Sequence, residues 1–122
     1  VAVRTLEQLS VEVQHILGTG LLRSAYEAAL AHELKLRGLK VEQKLPANLL
    51  YRQQLIPSSK EIPLVVEERL MIAPLCVSEI TPLHLARQRS LLKAAQIENG
   101  LCLNFHATSM STEVKCISSH GP

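Results

Sequence analysis

The stretch Gly20-Leu-Leu-Arg23-Ser-Ala-Tyr26-Glu27-Ala-Ala-Leu-Ala-His-Glu33-Leu-Lys-Leu-Arg37-Gly38-Leu-Lys-Val-Glu42-Gln43 contains a change of hydrophobic period. From Leu21 to Arg37 the apolar residues Leu22, Ala25, Tyr26, Ala29 and Leu36 recur at helical spacing, and the alanines permit close packing on a sheet. Gly38 supplies the left-handed residue that commonly ends a helix. Beyond it, Lys40–Leu45 opens a series of short β-like runs. A helix that feeds several short strands predicts a sheet with helices packed on it.

Toward the N-terminus, Leu6, Leu9, Val13, Ile16 and Leu17 predict a helix over Thr5–Leu17, with Thr5 and Gln8 spaced as a capping box and Gly18 and Gly20 ending it. Toward the C-terminus, Asn48–Tyr51, Ile62–Glu67 and Leu70–Val77 read as strands. Pro57-Ser58-Ser59 reads as an exposed loop and Glu67-Glu68-Arg69 as a tight hairpin connection that lacks the Asn-Gly signal. Thr81 caps a third helix with Pro82 at its first position, and the helix runs to about Glu98, where Asn99-Gly100 breaks it. Strands over Leu101–Phe105 and Glu113–Ser118 follow, joined by the polar loop His106–Thr112, and the tail Ser119–Pro122 frays. The expected fold class is α/β of the α+β kind, a mixed central sheet flanked by helices, in one domain over residues 1–122.

A chain of 122 residues can bury roughly two thirds of its unfolded surface in one core. That core is aliphatic, because Tyr26, Tyr51 and Phe105 are the aromatics. A formal net charge of +2 is too mild to argue for a nucleic-acid surface. Cys76, Cys102 and Cys116 form no CxxC pair, so they read as buried small hydrophobes of a reducing cytosol, not as a disulfide framework or a zinc site. No apolar run approaches the roughly 20 residues of a membrane helix, and the chain is expected to be cytoplasmic. There is no nucleophile turn, HxxxH pair or Gly-rich phosphate loop, and His84, near a helix start, reads as a local cap.

The Gly20–Gln43 segment, together with Thr81-Pro82-Leu83-His84 and Gly100-Leu-Cys-Leu-Asn104-Phe105, resembles the bacterial GxxExxY protein family, a compact branch of the PD-(D/E)XK nuclease superfamily. The resemblance implies a nuclease-like fold in which carboxylates hold Mg²⁺ and a lysine assists an activated water. It places an Asp early in one strand, a Glu and a Lys two apart on the facing strand, and a Glu on the second helix. Aligned through Val66–Leu70, the strand positions hold Pro63, Ala73 and Leu75; Arg23 falls at the Glu of the GxxExxY motif, and a Gln that follows Thr-Pro-x-His in the third helix is Arg87, with Gln88 beside it. The expectation is a catalytically inactive nuclease-like domain that needs no metal or other cofactor and serves as a binding or interaction module.

Pro63 and Pro74 further predict strands distorted near the former site. The alternative is a metal-dependent DNA nuclease with migrated ligands, of which Glu61 is the first candidate and Glu27, Glu67, Glu68 and Glu79 the others; Mg²⁺ belongs to that alternative alone. If Arg23 and Arg87 converge on the vacated site, they form an anion pocket to which Tyr26 and Gln43 add neutral hydrogen bonds. Against this, Arg23 can simply pair with Glu27 at i,i+4 spacing while Arg87 points to solvent. Expected partners are a second copy in a homodimer and, weakly and salt-sensitively, nucleic acid, with no membrane.

Overall fold

The computed structural model describes residues 3–56, 61–105 and 112–119. Helices α1 (Val3–Leu17) and α2 (Arg23–Leu36) come first. Strands β1 (Val41–Pro46), β2 (Leu49–Tyr51), β3 (Gln54–Ile56), β4 (Glu61–Val66) and β5 (Leu70–Leu75) follow. Helix α3 (Pro82–Ala95) then leads to β6 (Asn99–Phe105) and β7 (Thr112–Ser118). Five strands form one sheet in the order β1-β4-β5-β6-β7, and β2 pairs with β3 as a separate hairpin. Every neighbouring pair is antiparallel except β5 and β6, which run parallel because α3 carries the chain back between them. The expected mixed sheet flanked by helices is what forms.

The change of period at Gly38 is realised as a Schellman end: the Gly38 N–H donates to the Lys35 carbonyl and the Leu39 N–H to Leu34, with Gly38 at φ 79°. The hairpin over Glu67-Glu68-Arg69 forms without Asn-Gly, placing Glu67 and Glu68 at φ 53° and 59°. That left-handed pair suits the twist of the strands it joins. Glu67 then accepts the Lys40 N–H, and Glu68 pairs with the Lys40 ammonium, tying the turn to the start of β1.

Several boundaries differ from the expectation. Thr5 lies inside α1, so the Thr5/Gln8 box does not cap it. The buried stripe of α2 is Tyr26, Leu30, Ala31 and Leu34. Leu22 and Leu36 are 79% and 67% exposed, because Leu22 is the extended residue before the helix and Leu36 closes its last turn toward solvent. Helix α3 stops at Ala95: Gln96 adopts the left-handed conformation, and the Ile97 N–H returns to the Leu92 carbonyl. Asn99-Gly100 therefore belongs to β6, where a Cβ on Gly100 would meet Leu92 and Ile117 side-chain atoms at 3.2 Å, so the glycine serves close packing. Strand β3 escaped prediction since its turn, Arg52-Gln53, has two positive φ angles and no glycine. Cys102 is buried, Cys76 half-buried and Cys116 exposed, which corrects the expectation for Cys116. The expected loops at 57–59 and 106–111, and the tail beyond Ser119, lie outside the described residues.

The core has two parts, one on each face of the sheet. Leu6, Leu9 and Val13 of α1 and the α2 stripe pack on Leu64, Val66, Ile72, Leu101, Leu103 and Phe105. On the other face Leu92 of α3, with Ile80 and Ile97, packs on Val65, Met71, Ala73, Leu75, Cys102 and Ile117.

Candidate functional site

Strands β4 and β5 pair only from Leu64 to Val66, against Ile72 to Leu70. One step further the register would set Pro63 against Ala73, and Pro63 has no N–H to offer. On the opposite edge of β4 the ladder passes from Gln43–Leu64 to Leu45–Ile62, and Lys44 between them is left-handed at φ 54°. The alternation of faces fails at the same place. Leu64 and Val66 join the α1–α2 core, yet Ile62, two residues from Leu64, joins the α3 core. Meanwhile β5 stays paired with β6 as far as Leu75–Asn104. The two strands therefore part at Pro63, as the prolines predicted, and Pro74 sits in β5 where β4 has already left it.

The parting opens a cavity of about 880 Å³ between α2 and α3. Helix α2 contributes Arg23 and Glu27, β1 contributes Lys44, and the parted strands contribute Glu61, Pro63, Ala73 and Leu75. From α3 come His84, Arg87, Gln88 and Leu91. All five positions singled out in the sequence, Arg23, Pro63, Ala73, Leu75 and Arg87, thus line one space. Tyr26 and Gln43 do not. Tyr26 is 1% exposed, stacks on Phe105 with ring centroids 4.6 Å apart, and donates its hydroxyl to the Gly18 carbonyl at 2.6 Å. Three residues on from Arg23, Tyr26 faces the core side of α2, whereas Glu27, four residues on, faces the cavity. Gln43 is exposed and its Oε1 accepts from Lys35 Nζ at 3.3 Å.

Arg23 serves two readings at once, since it lines the cavity and its Nε stands 3.4 Å from Glu27 Oε1. Burial pushes the Glu27 carboxyl above the ordinary range; Arg23 and Lys44 oppose this and Glu61 adds to it. Of the candidate migrated ligands, Glu27 and Glu61 reach the cavity, while Glu67 and Glu68 hold the far end of the hairpin and Glu79 is exposed outside the lining. Among the described residues no group of three or more His, Cys, Asp or Glu side chains is placed to hold a metal ion.

His84 is a cap. Its Nδ1 accepts the Thr81 N–H at 3.0 Å while Thr81 Oγ1 accepts the His84 N–H, which leaves the ring proton on Nε2. Asn104 fixes the exit of β5, with Oδ1 accepting the Val77 N–H and Nδ2 donating to the Val77 carbonyl, both at 3.0 Å. Burial pushes the Cys102 thiol up to about 11, so it is no nucleophile at neutral pH.

Against known families, a model described as the PD-(D/E)XK nuclease superfamily matches residues 2–117. The chain belongs to the PD-(D/E)XK nuclease superfamily. Neither the curated proteins nor the solved structures yielded a match. In this superfamily member the sheet, the parted hairpin and the flanking helices are all present, and no helix among the described residues is long and apolar enough to cross a membrane. Sequence reasoning missed Lys44. Its place opposite Pro63 follows only from the β1–β4 register, for which the sequence carries no turn signal of known length.

Proposed function

We propose that this nuclease-superfamily domain has lost its phosphodiesterase chemistry and works as a binding module. The observation that carries the proposal is the chemistry of three cavity positions: Pro63, Ala73 and Leu75. A hard cation takes oxygen ligands, and none of these side chains has one. Leucine likewise cannot orient a water or stabilise developing charge as a lysine does. Of the two carboxylates present, Glu27 is engaged by Arg23 and its charged form is disfavoured by burial. Arg23, Lys44 and Arg87 line the same space and repel a divalent cation.

The test is incubation of single- and double-stranded DNA with the purified protein in Mg²⁺ and in Mn²⁺. No metal-dependent cleavage is expected. A second reading, cleavage through migrated ligands, is favoured by the shared cavity of Glu27 and Glu61. It requires metal-dependent cutting that disappears in Glu61→Ala, and that result would replace the first reading.

A further inference from the structure

Two of the three positions that lack metal ligands give the cavity part of an apolar floor. Ala73, Leu75 and Leu91 line it together with Lys44, Arg87 and Gln88. Lys44 and Arg87 make no ion pair with a described residue, whereas Arg23 is occupied by Glu27. Gln88 presents a second unmet demand: its Oε1 is buried at the cavity and accepts no hydrogen bond. A buried acceptor without a donor is costly, so turning the Gln88 amide into the cavity toward a ligand N–H or O–H relieves that cost. The volume lies within the roughly 300–1,000 Å³ of small-molecule sites.

Resting on the metal-free reading above, we propose that the cavity binds a small organic acid, its anionic head between Lys44 and Arg87, its apolar body over Ala73, Leu75 and Leu91, and an N–H or O–H donated to Gln88. A guanidinium and an ammonium together recognise a carboxylate or phosphate without a cation bridge. Burial of a few methylenes on the floor adds to this, at about 0.8 kcal/mol for each CH₂ removed from water. A nucleic-acid strand fits the same space less well. Glu27 and Glu61 face it and repel successive phosphates, and no aromatic side chain lines it to stack a base.

The experiment is calorimetric titration in EDTA with N-acetylleucine, which joins a carboxylate, an amide N–H and an apolar body. N-acetylleucine amide, which lacks the charge, and acetate, which lacks the body, are the controls. Saturable binding of one N-acetylleucine per chain is expected, with at least tenfold weaker binding of both controls. The double variant Lys44→Asn with Arg87→Ala is expected to bind at least tenfold more weakly at unchanged Tm, because both side chains are exposed and Asn tolerates the left-handed backbone at position 44. Gln88→Leu is expected to weaken binding severalfold.

No saturable binding in EDTA, equal binding of the amide, or full affinity in the double variant overturns the inference and leaves the inactive reading standing. An oligonucleotide that binds more tightly than N-acetylleucine and competes with it overturns the inference in favour of nucleic acid. N-acetylleucine binding that needs added Mg²⁺ overturns both. DNA cleavage alongside metal-free acid binding overturns only the inactive reading.

Discussion

The α1–α2 face of the sheet and the parting of β4 from β5 lie on the same hairpin, but one is closed by packing and the other stands open. On the closed face Leu64 and Val66 meet the α1 and α2 side chains, and Tyr26 stacks on Phe105 with its hydroxyl satisfied. At the open end the neighbours of Pro63, Ala73 and Leu75 include a cavity. The residues that resemble the family frame and persist here have mechanical work: Gly20 takes φ 84°, Tyr26 ties α2 to Gly18, Thr81 and His84 cap α3, and Asn104 pins Val77. Arg23, Pro63, Ala73, Leu75 and Arg87 all border the cavity. Arg23 and Arg87 are exposed, so their replacement costs the fold little, whereas Ala73 and Leu75 border the cavity and also pack in the α3-side core.

If that contrast is right, substitutions should divide by region. Phe105→Ala should destabilise most, by about 3–5 kcal/mol in denaturant unfolding, since it empties a fully buried site and leaves Tyr26 unstacked. Arg87→Ala, at the cavity rim, should stay within about 0.5 kcal/mol of the parent. Equal losses in the two variants would break the comparison. Asn104→Ala should cost about 1–3 kcal/mol, because it leaves the Val77 N–H and carbonyl without partners.

Tyr26→Phe keeps the stack and removes only the bond to Gly18, and a loss of about 1 kcal/mol is expected. A near-zero change would assign Tyr26 to packing alone.

The smallest effect is expected from Glu27, and it carries a sign. Its carboxyl is raised above 4.5, so the group's contribution is fully present below that pH and is lost as pH rises through the higher folded-state value. Comparison of Tm between the parent and Glu27→Gln should therefore shift in the variant's favour on going from pH 4.5 upward. A shift in the opposite direction would mean that the Arg23 pair outweighs burial.

The fold was legible because local signals agreed: helical period before Gly38, short apolar runs after it, and Pro82 and Thr81 opening α3. The convergence of Arg23, Pro63, Ala73, Leu75 and Arg87 follows from three matches to the family frame: the motif of α2, the hairpin through Val66–Leu70, and the Thr-Pro-x-His segment that opens α3. What the sequence withheld was rotation and register. The sequence places Tyr26 and Gln43 at the cavity, but the rotation of α2 about its axis is set by the sheet beneath it, and it turns Tyr26 inward. Lys44 reaches the cavity only because β1 pairs with β4 and kinks opposite Pro63. Gln96 ends α3 in a left-handed conformation that a glutamine does not announce.

The central claim is that the parted hairpin no longer holds a metal ion. Titration of the protein with Mn²⁺, with free Mn²⁺ read by its paramagnetic resonance signal, tests this without assuming a substrate. The account predicts no saturable site at millimolar metal, and the same trace for the parent and Glu61→Ala. One Mn²⁺ bound per chain in the parent, and released by Glu61→Ala, would contradict it.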